Sequence, residues 1–423
     1  MKKINQIVLL SAITAFFPML ASAASFQSLE QSAARLGAGD AGTATNTSDA
    51  AIEYFNPAGM SFVGRKVVSV SGIGVLANIR MHDAQGTDYM TNPVSGDGKG
   101  PHTAGVVPGL HYVQPINNKW AFGAGINVPY GLETIYPGDS MARYFATKSK
   151  IATINFGLSF SYKITKKLSA GIGIDPQYMS AELDQMYDNK GGTPDRDVYI
   201  KNKGKDWGVG FNAGLFYIIN PTTRVGLSYR SRVKHNLKGY SDVDAQIAVA
   251  GLTNCGVSSD VTMPASTTLS LAHEATQNWL LEADAQYTQW NVLKKLTLNF
   301  TDPQHKPHNS SVQLNYHNSW RFSVGEEYKL NNKWTLRNGF TFDETPTDAT
   351  YKTARIPDSN RYWITFGARY NATKNLSFDA GYAFILFNHS HINLVLDGMS
   401  NATLQAGYKA YAQLFGLQVN YNV

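Results

Sequence analysis

The sequence predicts an all-β fold: a fourteen-stranded antiparallel transmembrane β-barrel with an N-terminal luminal plug, or hatch. Three observations predict it. Segment after segment alternates an apolar residue with a small or polar one, six short polar turns alternate with seven long loops, and only 16% of the 423 residues are charged while 12% are aromatic. Soluble domains carry roughly 25% charged residues. Mean hydropathy is −0.25, too low for a bundle of membrane helices. Beyond the N-terminal segment no run of 18 or more apolar residues occurs, so a membrane crossing falls to strands with one greasy and one wet face.

In chain order, Lys2 and Lys3 precede a mostly apolar stretch from Ile7 to Phe17, and Ala21-Ser22-Ala23 supplies small residues beyond it. Residues 1–23 are therefore expected to be a signal peptide cleaved after Ala23. Residues 24–64 do not alternate; they are small and polar and include Asn56-Pro57-Ala58. Fourteen strands enclose a lumen wide enough to leak, so this segment is expected to be a hatch within it, a disordered periplasmic tail being the other reading. Gly37, Gly39 and Gly42 spell G-x-G-x-x-G, but no apolar strand or βαβ unit surrounds them, so they suit close backbone passage better than a dinucleotide.

Residues 65–423 are expected to form the barrel. Ile154, Phe156, Leu158 and Phe160 share one face against Asn155, Gly157, Ser159 and Ser161, and Trp120, Phe122, Ala124, Ile126 and Val128 share another. Successive strand side chains point to opposite faces, so each segment is half buried in something apolar. Short turns fall at 117–119, 165–167, 220–222, 276–278, 331–333 and 372–374, and long loops at 83–102, 130–150, 186–204, 236–262, 297–311, 344–358 and 390–403. Short turns at one end and long loops at the other characterise outer-membrane barrels. Trp120, Trp279, Trp320 and Trp334 sit near strand ends as an interfacial girdle.

The third strand meets Pro129, then Tyr130 and Gly131. Proline removes a ladder donor and glycine relaxes the backbone, so pairing should fail there. Either the strand simply ends or the gap is a lateral gate. Arg321, Arg337 and Arg369 fall on the luminal parity and could together hold a carboxylate head group; the alternative is a balanced charge network lining a wet lumen. His305, His308, His389 and His391 read as loop histidines, so no metal and no cofactor are expected. A single cysteine, Cys255, excludes a disulfide framework. The formal charge of +6, with no basic run, gives no reason to expect nucleic acid.

The segments Ala24-Ser25-Phe26-Gln27, Arg35-Leu36-Gly37, Asn56-Pro57-Ala58, Trp120-Ala121-Phe122-Gly123, Pro129-Tyr130-Gly131-Leu132 and Ala142-Arg143-Tyr144, in this order and spacing, resemble the FadL-type outer-membrane transporters of long-chain fatty acids and other hydrophobic compounds. The resemblance covers nearly the whole chain beyond residue 23. It implies a fourteen-stranded barrel, a hatch carrying Asn56-Pro57-Ala58, and ligand leaving sideways into the membrane. Phe26 matches the family's early phenylalanine, near the internal ligand site and displaced on release. The expected function is outer-membrane transport by capture at extracellular loops, binding in the lumen and lateral release; a general diffusion porin and an outer-membrane lipid hydrolase are the alternatives. Expected partners are a long-chain fatty acid or other hydrophobic small molecule, outer-membrane lipid and lipopolysaccharide, with the protein a monomer.

Overall fold

The computed structural model describes residues 25–88, 92–94, 99–188, 197–244, 251–305, 307–396 and 402–423; the expected signal peptide, residues 1–23, lies outside them. Fourteen spans follow in chain order, several in two pieces. The first two are β1 (Val67–Thr87) and β2 (His102–Pro115). The third is split into β3 (Trp120–Asn127) and β4 (Gly131–Ile135). Then come β5 (Lys148–Lys163), β6 (Leu168–Tyr187) and β7 (Val198–Asn220). β8 (Thr223–Arg230) continues as β9 (Val233–Val243), and β10 (Cys255–Met263) as β11 (Ser266–Glu274). β12 (Trp279–Thr288) continues as β13 (Lys295–Phe300), and β14 (Asn309–Gln313) as β15 (Ser319–Lys329). β16 (Trp334–Asp343) and β17 (Arg361–Asn371) precede β18 (Leu376–Phe387), its continuation β19 (Ser390–Val395), and β20 (Thr403–Asn422).

Neighbouring spans pair antiparallel, and β20 pairs with β1 from Val67↔Asn422 to Thr87↔Thr403, which closes the sheet. Lipid offers no hydrogen-bond partner to a free edge, so closure is obligatory for a sheet in a bilayer. The short turns cap themselves. Asn117 Oδ1 accepts from the backbone N–H of both Lys119 and Trp120 at 2.9 Å, and Asn331 does the same for Lys333 and Trp334 at 2.9 and 3.0 Å. This is the turn chemistry for which asparagine is favoured.

The faces are inverted relative to a soluble protein. Phe156, Leu158 and Phe160 point outward, 39–48% exposed, while Asn155, Ser159 and Ser161 are buried within. Outward aromatics pair across strands near the rims: Trp120 with Tyr162 at 4.6 Å, Trp334 with Tyr370 at 4.7 Å and Trp320 with Tyr287 at 4.8 Å between ring centroids.

The structure differs from the sequence reading over the long loops. Residues 236–262, expected as loop, are largely ladder, with Lys238 opposite Ser258, and β7 already begins at Val198. Above the membrane the outward face of a strand meets water, so polar residues such as Lys234, Asn236 and Lys238 replace outward apolar ones while backbone pairing continues.

Residues 25–63 run inside the barrel as short helical turns at Ala33–Leu36, Thr43–Thr45, Ile52–Phe55 and Pro57–Phe62, and most are fully buried. The wall accommodates them with glycine. Gly325 stands opposite Gly339, and Gly367, Gly381 and Gly416 form one cross-strand row. A Cβ added at Gly37 would lie 2.8 Å from the Gly367 Cα, and one at Gly339 2.6 Å from the Gly39 nitrogen. Gly39 and Gly42 also have φ of +68° and +67°, a region that favours glycine. The G-x-G-x-x-G spacing serves close backbone passage.

Candidate functional site

The third span breaks at Val128–Tyr130, between β3 and β4. β2 pairs with β3 up to Leu110↔Ile126 and meets β4 again only at His102↔Ile135. Across this interval β2 keeps its partner on β1, from Ala77↔Thr103 to Ser71↔Gly109, and no ladder pair joins β2 residues 103–109 to the third span. Val128, expected outward with Trp120, is instead buried, because the break turns the chain into the lumen. Eight residues of tilted strand put Val128 about 20 Å above Trp120, in the upper part of the bilayer.

The hydrogen bonds freed at the break go to the hatch. Ser28 N–H donates to the Pro129 carbonyl at 2.9 Å, and Gly131 N–H donates to the Phe26 carbonyl at 2.8 Å. The Gln31 side chain acts as a splint: its Nε2 donates to the Val128 carbonyl at 2.8 Å and its Oε1 accepts from Val128 N–H at 3.1 Å. On the other side Tyr130 N–H donates to Thr153 Oγ1 at 2.9 Å, and the Tyr130 hydroxyl donates to the Pro264 carbonyl at 2.8 Å. The hatch thus acts as a short third partner where two strands part.

Directly behind the break lies a cavity with an almost wholly apolar lining, the chemistry expected of a site for a hydrophobic small molecule. Phe26 forms one wall, edge-on to Trp290 at 4.9 Å and to Tyr130 at 6.1 Å. Leu132, Ile151, Met179, Leu237, Val261, Leu293, Leu296, Leu314 and Ile356 supply much of the rest. Arg355 stands half-buried at its margin, which Lys203 also borders. Its guanidinium donates to Ser149 Oγ at 3.1 Å, Gln185 Oε1 at 2.7 Å and the Asp184 carbonyl at 3.2 Å. No carboxylate stands within ion-pair distance among the described residues, and burial pulls Arg355 down to about 10, still cationic at neutral pH.

The three arginines singled out from sequence lie elsewhere. Arg337 meets Asp379 at 2.6 Å and Glu327 at 3.1 Å, and Arg369 meets Asp379 at 2.8 Å and Asp49 of the hatch at 3.5 Å. Arg321 is different: it donates to Gln286 Oε1 at 2.8 Å, stands 3.9 Å from Asp40, and its Nε and Nη1 make no hydrogen bond among the described residues. It borders a smaller polar cavity with Tyr54, Arg230 and Gln286. These three arginines therefore do not line the apolar cavity.

Hatch and wall are joined by buried polar contacts. Arg35 bridges Glu282, at 2.8 Å, and Glu327; Glu53 meets His111 Nδ1 at 2.7 Å. Asn56 donates from Nδ2 to the carbonyls of Ala44 and Leu215 at 2.9 and 3.0 Å, and its Oδ1 caps Ala58 N–H at 3.1 Å. Pro57 opens the following turn, and the Ala58 carbonyl accepts from Ser161 and Ser169 at 2.9 and 2.7 Å. Asn56-Pro57-Ala58 is thus an anchor to β5, β6 and β7.

Residues 14–423 match the family model described as outer membrane protein transport protein (OMPP1/FadL/TodX). The chain belongs to this family. Outer membrane protein P1 of Haemophilus influenzae is 32% identical over 466 residues, covering all of both chains, and the long-chain fatty acid transport protein of Escherichia coli is 26% identical over 445 residues, covering 97% of each. A crystal structure of a Pseudomonas aeruginosa FadL homologue matches with a TM-score of 0.85 at 25% identity, covering 94% of this chain and 100% of that one. The Pseudomonas putida toluene transporter TodX matches in fold, with a TM-score of 0.70 at 19% identity, covering 95% and 100%. The protein is accordingly an outer-membrane transport protein and not an enzyme, which removes the lipid-hydrolase alternative.

Within this FadL-family barrel, the sequence alone singles out Phe26, Asn56-Pro57-Ala58 and Pro129–Gly131 but gives no signal for Gln31, Thr153, Trp290 and Arg355. Gln31 and Arg355 carry no local motif. Thr153 sits in ordinary alternation, and its hydroxyl matters only because Tyr130 turns inward beside it.

Proposed function

We propose that the protein carries long-chain fatty acids or chemically similar hydrophobic compounds from the extracellular side into the outer membrane by lateral release. The observation that carries this reading is the apolar cavity set directly behind a gap in the barrel wall, with Phe26 of the hatch forming part of both. A ligand enters past the long loops and lays its chain along Phe26, Leu132, Met179 and Leu237. Arg355 takes a carboxylate head group as a charge-assisted hydrogen-bond partner. The chain then leaves between β2 and the third span near Pro129, Tyr130 and Gly131. Residues 24–64 act as the hatch that keeps the lumen closed to ions, and the protein acts as a monomer. The named ligands of its relatives, long-chain fatty acids and toluene, support a hydrophobic cargo.

The test is uptake of labelled oleate by cells with and without the protein, together with Gly131→Trp. The protein should raise uptake, and Gly131→Trp should cut it several-fold while the barrel still migrates as a folded band. Uptake unchanged by the indole would rule out release at this gap.

A further inference from the structure

Outside the lumen, the upper outward faces of β5, β6, β7, β9 and β10 gather a basic surface. Moving away from the membrane along these strands, the rows can be read from their register. An aromatic row comes first: Tyr178 stands opposite Trp207, and the two rings pack at 5.4 Å. One row higher, Ala152, Ser180, Lys205, Lys238 and Ser258 are directly opposite one another in sequence of strands. The next row holds Lys150, Glu182, Lys203 and Tyr240.

Carboxylates answer the upper lysines but not the lower ones. Glu182 meets Lys148 at 3.2 Å, Lys203 at 3.3 Å and Lys201 at 3.6 Å, and Glu133 meets Lys150 at 3.3 Å. Lys205 and Lys238 make no ion pair among the described residues, although they are direct cross-strand neighbours. Their row offers no acid, only alanine and serine. Asp260, one row lower, is engaged by the Asn236 side chain at 2.6 Å. Like charges directly opposite on a sheet destabilise it, and this pair has no internal remedy. The two lysines border an outward-opening hollow edged by Tyr178, Tyr240 and the already paired Glu182.

The height of this row defines the ligand. It lies two residues beyond the outward ring of Trp207, about 5 Å above the level where aromatic side chains mark the acyl boundary. It lies at the long-loop end of the barrel, the extracellular end in this architecture. In an outer membrane the groups at that level are the head groups of the outer-leaflet glycolipid, whose sugars carry phosphates. We propose that Lys205 and Lys238 together bind a phosphate of an outer-leaflet phosphorylated glycolipid, lipid A, with Tyr178 and Trp207 packing against its first acyl carbons. The phosphate neutralises the opposed lysines, and Lys203 adds a further donor one row up. Lys205 and Lys238 themselves do not line the apolar cavity.

The test uses the purified full chain and native mass spectrometry, with bisphosphorylated lipid A, dephosphorylated lipid A and inorganic phosphate as separate probes. Wild type should retain bisphosphorylated lipid A, and affinity should fall about tenfold or more in a Lys205→Ser, Lys238→Ser double variant, the scale of losing two lysines beside an anionic surface. Lys205→Arg with Lys238→Arg should retain it, and oleate uptake by the serine variant should match wild type. A serine variant that migrates as a folded barrel yet holds the lipid as wild type does would overturn the proposal. So would equal retention of the dephosphorylated lipid, or its displacement by millimolar inorganic phosphate, which would make the site one for free anion.

Discussion

Arg355 is a half-buried cation whose partners are carbonyls, a hydroxyl and an amide, while Arg337 and Arg369 share Asp379. That contrast is why the proposed transport reading gives the fatty-acid head group to Arg355. A hydrogen bond to a charged partner contributes about 1.5–3 kcal/mol, so Arg355→Gln should weaken fatty-acid binding by about 10–100-fold. The methyl ester of the same chain carries no charge and should lose little, which separates a head-group role from general damage to the cavity. Tryptophan-fluorescence titration would read both ligands, since Trp290 stands against Phe26 at the cavity wall. Equal losses for acid and ester would assign Arg355 to holding its loop.

Among elements, the hatch and the third span depend on each other, because each supplies backbone partners the other lacks. The hatch also buries acids at a cost that depends on pH. Burial pushes Glu30 up to about 8, with Asp40 adding to the rise, and pushes Asp40 itself up to about 6; Glu53 is raised by burial as well. A carboxyl whose docked value lies above its released value holds its proton more tightly when docked. Docking is therefore favoured most below the ordinary value of 4.5 and weakens as pH rises from there toward 8. Hydrogen-exchange protection of residues 25–63 should fall across that window, and Glu30→Gln should flatten the slope. A protection profile that rises with pH would contradict this. The break itself was legible, since Pro129 and Gly131 are local signals; its splint was not, because Gln31 is distant in sequence and reaches Val128 only once both are inside the barrel.

For the whole molecule, a closed fourteen-stranded wall with residues 25–63 packed inside differs from an open pore. Deleting residues 25–63 should leave a barrel that inserts in planar bilayers with large, steady conductance, while the intact chain stays near baseline. Large steady conductance from the intact chain would revive the porin reading. Much of the architecture was legible beforehand: strand number, turn positions and the lipid-facing set follow from a two-residue pleat and self-capping turns, both local properties. Loop extents were not, because strands that project into water no longer need an apolar outward face.

The sequence by itself determined the barrel, its count and its inside and outside, since side-chain alternation and turn chemistry act within a few residues. Only the tertiary structure decided which distant residues share a row or a cavity. No basic run exists in the chain, yet register sets Lys205 opposite Lys238. Phe26 and Arg355 line one cavity from opposite ends of the sequence. Closing the sheet around the hatch decides such meetings, through a register that alternation alone leaves open.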